Sequence, residues 1–141
     1  MNENPALLKS IAPQFVVPDV VRAAEYYRDV LGFKILGYWL DPPVFAIIKR
    51  GDITIHLGKG DTDIAQGNVT RREGGLDAYI YAAGVDALFE EFRKRGADII
   101  DGPIDTVYGT REVLVQDCYG FVISFGEDRP TASPPADKEN R

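Results

Sequence analysis

A chain of 141 residues, 45% of them hydrophobic, suits one globular domain with a substantial core. Its formal net charge of -6 argues against nucleic acid and anionic membranes as partners and mildly favours a neutral or cationic ligand. There is no apolar run of about 18 residues, no export signal in Met1–Pro5, and a single cysteine, Cys118, which excludes an internal disulfide. Together these features lead us to expect a cytoplasmic protein.

Residues 1–9 read as a flexible arm. Residues 10–17 alternate and are rich in β-formers, predicting a strand that Pro18 ends. Asp19 is placed to cap a helix in which Val20, Ala23, Ala24, Tyr27 and Leu31 repeat at helical spacing, and Gly32 stops it. Strands are expected over 33–39, 44–49 and 53–57, with turns at Asp41-Pro42-Pro43 and Arg50-Gly51-Asp52. Residues 59–75 are polar and aperiodic, a loop.

The order then begins again. Residues 76–82 predict a strand and 85–95 a helix with Val85, Leu88, Phe89 and Phe92 on one face. Strands follow over 98–100, 111–116 and 121–125, with Asp117-Cys118-Tyr119-Gly120 as a turn. Residues 128–141 have little to bury and are expected to be disordered. The chain is thus one βαβββ unit written twice, at a period of about 65 residues, over 10–58 and 76–127. The expected fold is α+β: two tandem modules making a curved eight-stranded sheet with a concave cup and helices outside.

Asp19, Tyr26-Tyr27-Arg28-Asp29-Val30-Leu31-Gly32-Phe33, Asp41-Pro42-Pro43, Gly51-Asp52-Ile53-Thr54-Ile55-His56-Leu57, Tyr108-Gly109-Thr110-Arg111-Glu112 and Asp117-Cys118-Tyr119-Gly120 follow one another in the order and spacing of a known group. Over residues 10–127 the chain resembles the vicinal oxygen chelate superfamily, in its glyoxalase/bleomycin-resistance-protein branch. The resemblance implies four metal-ligand positions in the cup, one on the first and one on the last strand of each module. Counted on the repeat, they fall on Ala12, His56, Asp77 and Ser124. Ala12 cannot bind a metal, and Gln14, two residues on and on the same strand face, is a poor substitute. Ser124 stands where the enzymes commonly carry Glu. His56 and Asp77 alone are too few for a divalent ion such as Zn, Ni, Mn or Fe. The balance favours no metal cofactor. Otherwise His56 reads as an imidazole lining the cup, and Asp77 as a charge paired with a base such as Arg111.

No phosphate-binding glycine loop or dinucleotide fingerprint is present, and nothing near Cys118 marks an activated thiol. Arg71-Arg72 and Arg93-Lys94-Arg95 read as solvated faces. Trp39, Phe45, Tyr79, Tyr81, Tyr108 and Tyr119 lie on or beside the cup strands, and an aromatic pocket in an acidic protein suits a planar, cationic organic ligand. Bleomycin-resistance proteins, which the chain resembles, sequester a drug in the grooves of a homodimer. The resulting expectation is a homodimer that binds a small organic ligand without turnover. Trp39, Phe45, Tyr81 and Tyr108 supply stacking surface, and His56, Asp77 and Arg111 supply orientation. The alternatives are a metal-dependent lyase, isomerase or dioxygenase of the glyoxalase type, with His56, Asp77 and Gln14 as ligands, and a metal-free enzyme using a His56–Asp77 acid–base pair.

Overall fold

A computed structural model describes residues 5–61 and 66–129. The first half contains strand β1 (Gln14–Val17), helix α1 (Val20–Leu31) and strands β2 (Lys34–Trp39), β3 (Phe45–Arg50) and β4 (Ile53–Lys59). The second contains β5 (Ala78–Tyr81), helix α2 (Val85–Arg95) and strands β6 (Asp98–Asp105), β7 (Thr110–Gln116) and β8 (Val122–Asp128), after a short 3₁₀ turn at Asn68–Thr70. The expected C-terminal tail from residue 130 lies outside the described residues, as do residues 1–4 of the arm.

Both halves use the same strand order, β1-β4-β3-β2 and β5-β8-β7-β6, with β1/β4 and β5/β8 parallel and the other pairs antiparallel. The eight expected strands therefore divide into two hydrogen-bonded sheets of four. Proline explains part of that division. Pro13 and Pro18 flank β1 and carry no N–H, so the strand starts at Gln14 rather than at residue 10 and offers little ladder to a neighbour. Conversely, β6 runs past its expected end at 100 to Asp105, because irregular pairing with β7 resumes at Ile104.

Each helix packs its apolar face on its own sheet. Val20, Ala23, Ala24, Tyr27 and Leu31 of α1 are buried, each large aliphatic contributing about 1.5–3 kcal/mol of burial. Asp19 accepts from the backbone N–H groups of Val21 and Arg22 at 3.0 and 3.1 Å, and Gly32 ends the helix at φ 77°. The second helix is capped differently. Gly84 has no side chain to cap with, so Glu127 of β8 accepts from the N–H groups of Gly84 (3.3 Å) and Val85 (3.0 Å). These bonds lower the Glu127 pKa, Val85 contributing most.

The halves grip each other through their helices. The Tyr27 hydroxyl of α1 donates to Asp117 Oδ2 at 2.6 Å in the β7–β8 turn, and Asp117 Oδ1 accepts from the N–H groups of Tyr119 (2.8 Å) and Phe121 (2.9 Å). Burial raises the Asp117 carboxyl and pushes the Tyr27 phenol well above its usual range. Phe15 stacks on Phe121, ring centroids 4.7 Å apart. Reciprocally, Arg50 at the β3–β4 turn reaches α2: both of its terminal nitrogens donate to Glu91 at 2.9 Å, and Nη1 also bonds the Leu31 carbonyl at 2.7 Å. One contiguous core results, running from Phe15 to Phe125.

Candidate functional site

The helices cover one face of each sheet and leave the other as a concave surface. On the first sheet, strand register puts Gln14 beside His56, His56 beside Ile47, and Phe45 beside Trp39. Three rings run across this face. Trp39 meets Phe45 edge-on at 5.7 Å between centroids, and Phe45 meets His56 edge-on at 5.3 Å. Trp39, at the outer end, is 46% exposed. Gly58 lacks a side chain where the Gln14 amide lies across the strand.

On the second sheet the same register positions carry different chemistry. Tyr79 stands beside Ser124, Ser124 beside Leu114, and Glu112 beside Gly126. The Tyr79 hydroxyl donates to Glu112 Oε2 at 2.8 Å, Thr110 Oγ1 donates to the same oxygen at 3.0 Å, and Thr106 and Thr110 share a 2.6 Å bond behind it. Gly126 is required here, since a Cβ would overlap the Tyr79 hydroxyl. Desolvation, followed by the bond to Glu112, pushes the Tyr79 pKa up to about 12, so it is a donor at neutral pH. Tyr81 packs against Tyr79 at 4.9 Å between centroids and is 73% exposed.

Two expected roles change. Asp77 does not pair with Arg111. Its Oδ1 accepts from the Asn68 N–H at 2.8 Å and its Oδ2 from the Val122 N–H at 2.9 Å, so the carboxylate ties the inter-module segment to the start of β8. Arg111 instead binds Asp86 at 2.8 Å and Asp105 at 3.0 Å, on the opposite parity of β7 from Glu112. Tyr119 also departs from the cup: it packs on the core, with the Arg22 guanidinium 5.0 Å from its ring centroid. Tyr108 is exposed in the turn before β7, and Val107 beside it is likewise exposed.

The inner edges of the two faces adjoin across clefts. One of about 520 Å³ is lined by Gln14, Asn68, Asp77 and Phe121 among others. A second of about 270 Å³ is lined by Ile11, Pro13, Thr54, Asp77 and Tyr79 among others. Gln14 and Asp77 thus meet one cleft, whereas no hydrogen bond among the described residues links His56 with Asp77.

As a divalent-metal site this donor set does not fit. Among the described residues no three His, Cys, Asp or Glu side chains converge. Both Asp77 oxygens already serve backbone amides. The Cys118 thiol is not activated: burial and then the Asp117 charge push it up to about 11. Thr110 and Glu112 are the residues that sequence reasoning did not assign to the site, and Tyr79 was placed on or beside the cup strands without a polar role. Their signal was present, since alternation puts Glu112 on the cup side of β7 at the position matching Phe45.

The Glyoxalase/Bleomycin resistance protein/Dioxygenase superfamily profile matches residues 8–125. The chain belongs to that superfamily. No curated protein sequence matches it. Among solved structures, TioX from Micromonospora sp. ML1 superposes with a TM-score of 0.65 at 21% identity, over 89% of this chain and 100% of that one. TnmS3, described as an antibiotic binding protein from Streptomyces sp. CB03234, gives 0.62 at 23% identity over 87% and 99%. A glyoxalase/bleomycin resistance protein/dioxygenase from Nocardioides gives 0.63 at 15% over 94% and 92%. At such identities the likeness establishes the fold alone. No helix among the described residues is long and apolar enough to cross a membrane.

Proposed function

We propose that this protein is a cytoplasmic homodimer that sequesters a small, planar organic ligand, preferably cationic, in a groove and releases it unchanged. The carrying observation is the Trp39–Phe45–His56 ring series, presented on an open sheet face with its outermost ring half exposed. Ring stacking and apolar contact on such a surface retain planar compounds without any bond being made or broken. Exposed Leu40 and Val44 extend the apolar surface near Trp39 and suit a second subunit closing the groove. TnmS3, described as an antibiotic binding protein, supports a small-molecule ligand. Against turnover stand an imidazole with no acid–base partner among the described residues and a thiol held protonated at neutral pH.

Trp39 is the lone tryptophan and reports its own site. Titration with naphthalene- and acridine-based compounds should quench its fluorescence. In Trp39→Ala, followed by calorimetry, affinity should fall about tenfold or more, the loss of roughly 1.4 kcal/mol or above. Mass spectrometry should recover the bound compound unaltered after denaturation. Equal affinity in Trp39→Ala would place the ligand elsewhere, and a changed product would make the protein an enzyme.

A further inference from the structure

Three polar side chains are buried among the described residues: Asp117, Glu112 and Ser124. Asp117 is fully accounted for by Tyr27 and two backbone amides. The other two are not, and they share the concave face of the second sheet. Glu112 is 7% exposed, and both of its hydroxyl partners bond Oε2, leaving Oε1 with no described partner. No Lys, Arg or His nitrogen forms an ion pair with it among the described residues. The adjacent Arg111 faces away and is held by Asp86 and Asp105. One register pair along, Ser124 is 0% exposed and its hydroxyl has no hydrogen-bond partner. A nearly buried carboxylate without a counter-charge is costly, and a donor-rich cation at its free oxygen meets that cost.

We infer that Glu112 anchors a protonated amine or amidinium of the bound ligand, with Ser124 beside it and the Tyr79–Tyr81 pair as the aromatic wall. This rests on the sequestration reading and names its ligand class, an aromatic organic cation. Glu112 is a single carboxylate with one free oxygen, which suits an N–H donor and not a divalent ion. The Tyr79 and Thr110 hydroxyls hold the carboxylate in place. The neighbouring tyrosine faces add cation–π attraction, strongest where water is displaced.

The probes are 1-naphthylmethylammonium and its neutral counterpart 1-naphthalenemethanol, followed by NMR at the Glu112 side-chain carboxyl and the Trp39 indole N–H. The ammonium should bind about tenfold or more tighter than the alcohol and shift the Glu112 carboxyl signal. Glu112→Gln, which keeps shape and an acceptor for Tyr79, should erase that preference by bringing the ammonium's affinity down to the alcohol's. An unchanged amide fingerprint in each variant controls for folding. Equal affinities for both probes, or a preference that survives in Glu112→Gln, would overturn the anchor while the Trp39 response leaves the groove standing. Absence of any Trp39 response to either probe would overturn the groove reading, and absence of a Glu112 carboxyl shift with the ammonium would overturn the anchor.

Discussion

Register by register, Gln14, Phe45 and His56 in the first half stand where Tyr79, Glu112 and Ser124 stand in the second. The backbone at these positions is the same and the chemistry is opposed: a ring series on one face, a buried carboxylate with its hydroxyls on the other. Each half also clasps its neighbour, but the first half's tyrosine reaches a buried carboxylate, whereas the second half's glutamate meets an arginine that is about one-third exposed. A repeated unit therefore fixes strand pairing twice and leaves the cup face free to differ. Burial of the polar group decides how much each difference matters.

The largest effect should come from the buried clasp. Asp117→Ala strips acceptors from the Tyr27 hydroxyl and two N–H groups, and should cost about 3 kcal/mol or more in urea unfolding. Arg50→Ala, across the symmetric contact, should cost about 1 kcal/mol, because solvent screens a pair that is one-third exposed. Equal losses would show that the two clasps are energetically alike. The glycines sharpen the contrast further. Gly126→Ala forces Tyr79 off Glu112 and should cost about 1–3 kcal/mol in thermal unfolding. Gly58→Ala meets only the Gln14 amide at 3.3 Å, the movable end of a flexible side chain, and should change stability by less than about 1 kcal/mol.

Smaller still is the pH dependence. Burial raises the Asp117 pKa, so its contribution is favourable below the unfolded value and is lost as pH rises through the folded one. Glu127 has a lowered pKa and behaves in reverse: its stabilisation is present above the unfolded value and disappears as pH falls through the folded one. Asp117→Asn should therefore gain on the wild type as pH rises through the carboxylate range, and Glu127→Gln should lose ground over the same interval. Parallel stability curves for either variant would contradict its assigned shift. No effect at all is expected from chelation: dialysis against EDTA should leave melting temperature and ligand affinity unchanged, and a drop in either would restore a metal to the site.

Much of this was legible in the chain. Asp19, Gly32 and the apolar spacing of residues 20–31 dictate α1 because capping and periodicity act locally. Trp39, Phe45 and His56 were assigned to the cup strands, and the register of β2, β3 and β4 sets them on one face. The Asp77–Arg111 pair was misread, because a carboxylate's partner depends on which backbone amides come near it. Here those are Asn68 and Val122, far apart in sequence. Glu112 went unassigned for the same reason, since its neighbour Tyr79 is 33 residues away.

The sequence by itself determined the doubled βαβββ unit, both helices, the aromatic character of the first cup face and the weakness of the metal-ligand set. All of these follow from residue type and short-range spacing. Only the tertiary structure decided that the strands form two sheets, that Glu127 caps α2 from β8, and that Glu112 is buried with an oxygen to spare. Those depend on long-range packing, which sets the dielectric and the partners of every polar group and leaves no local trace in the chain.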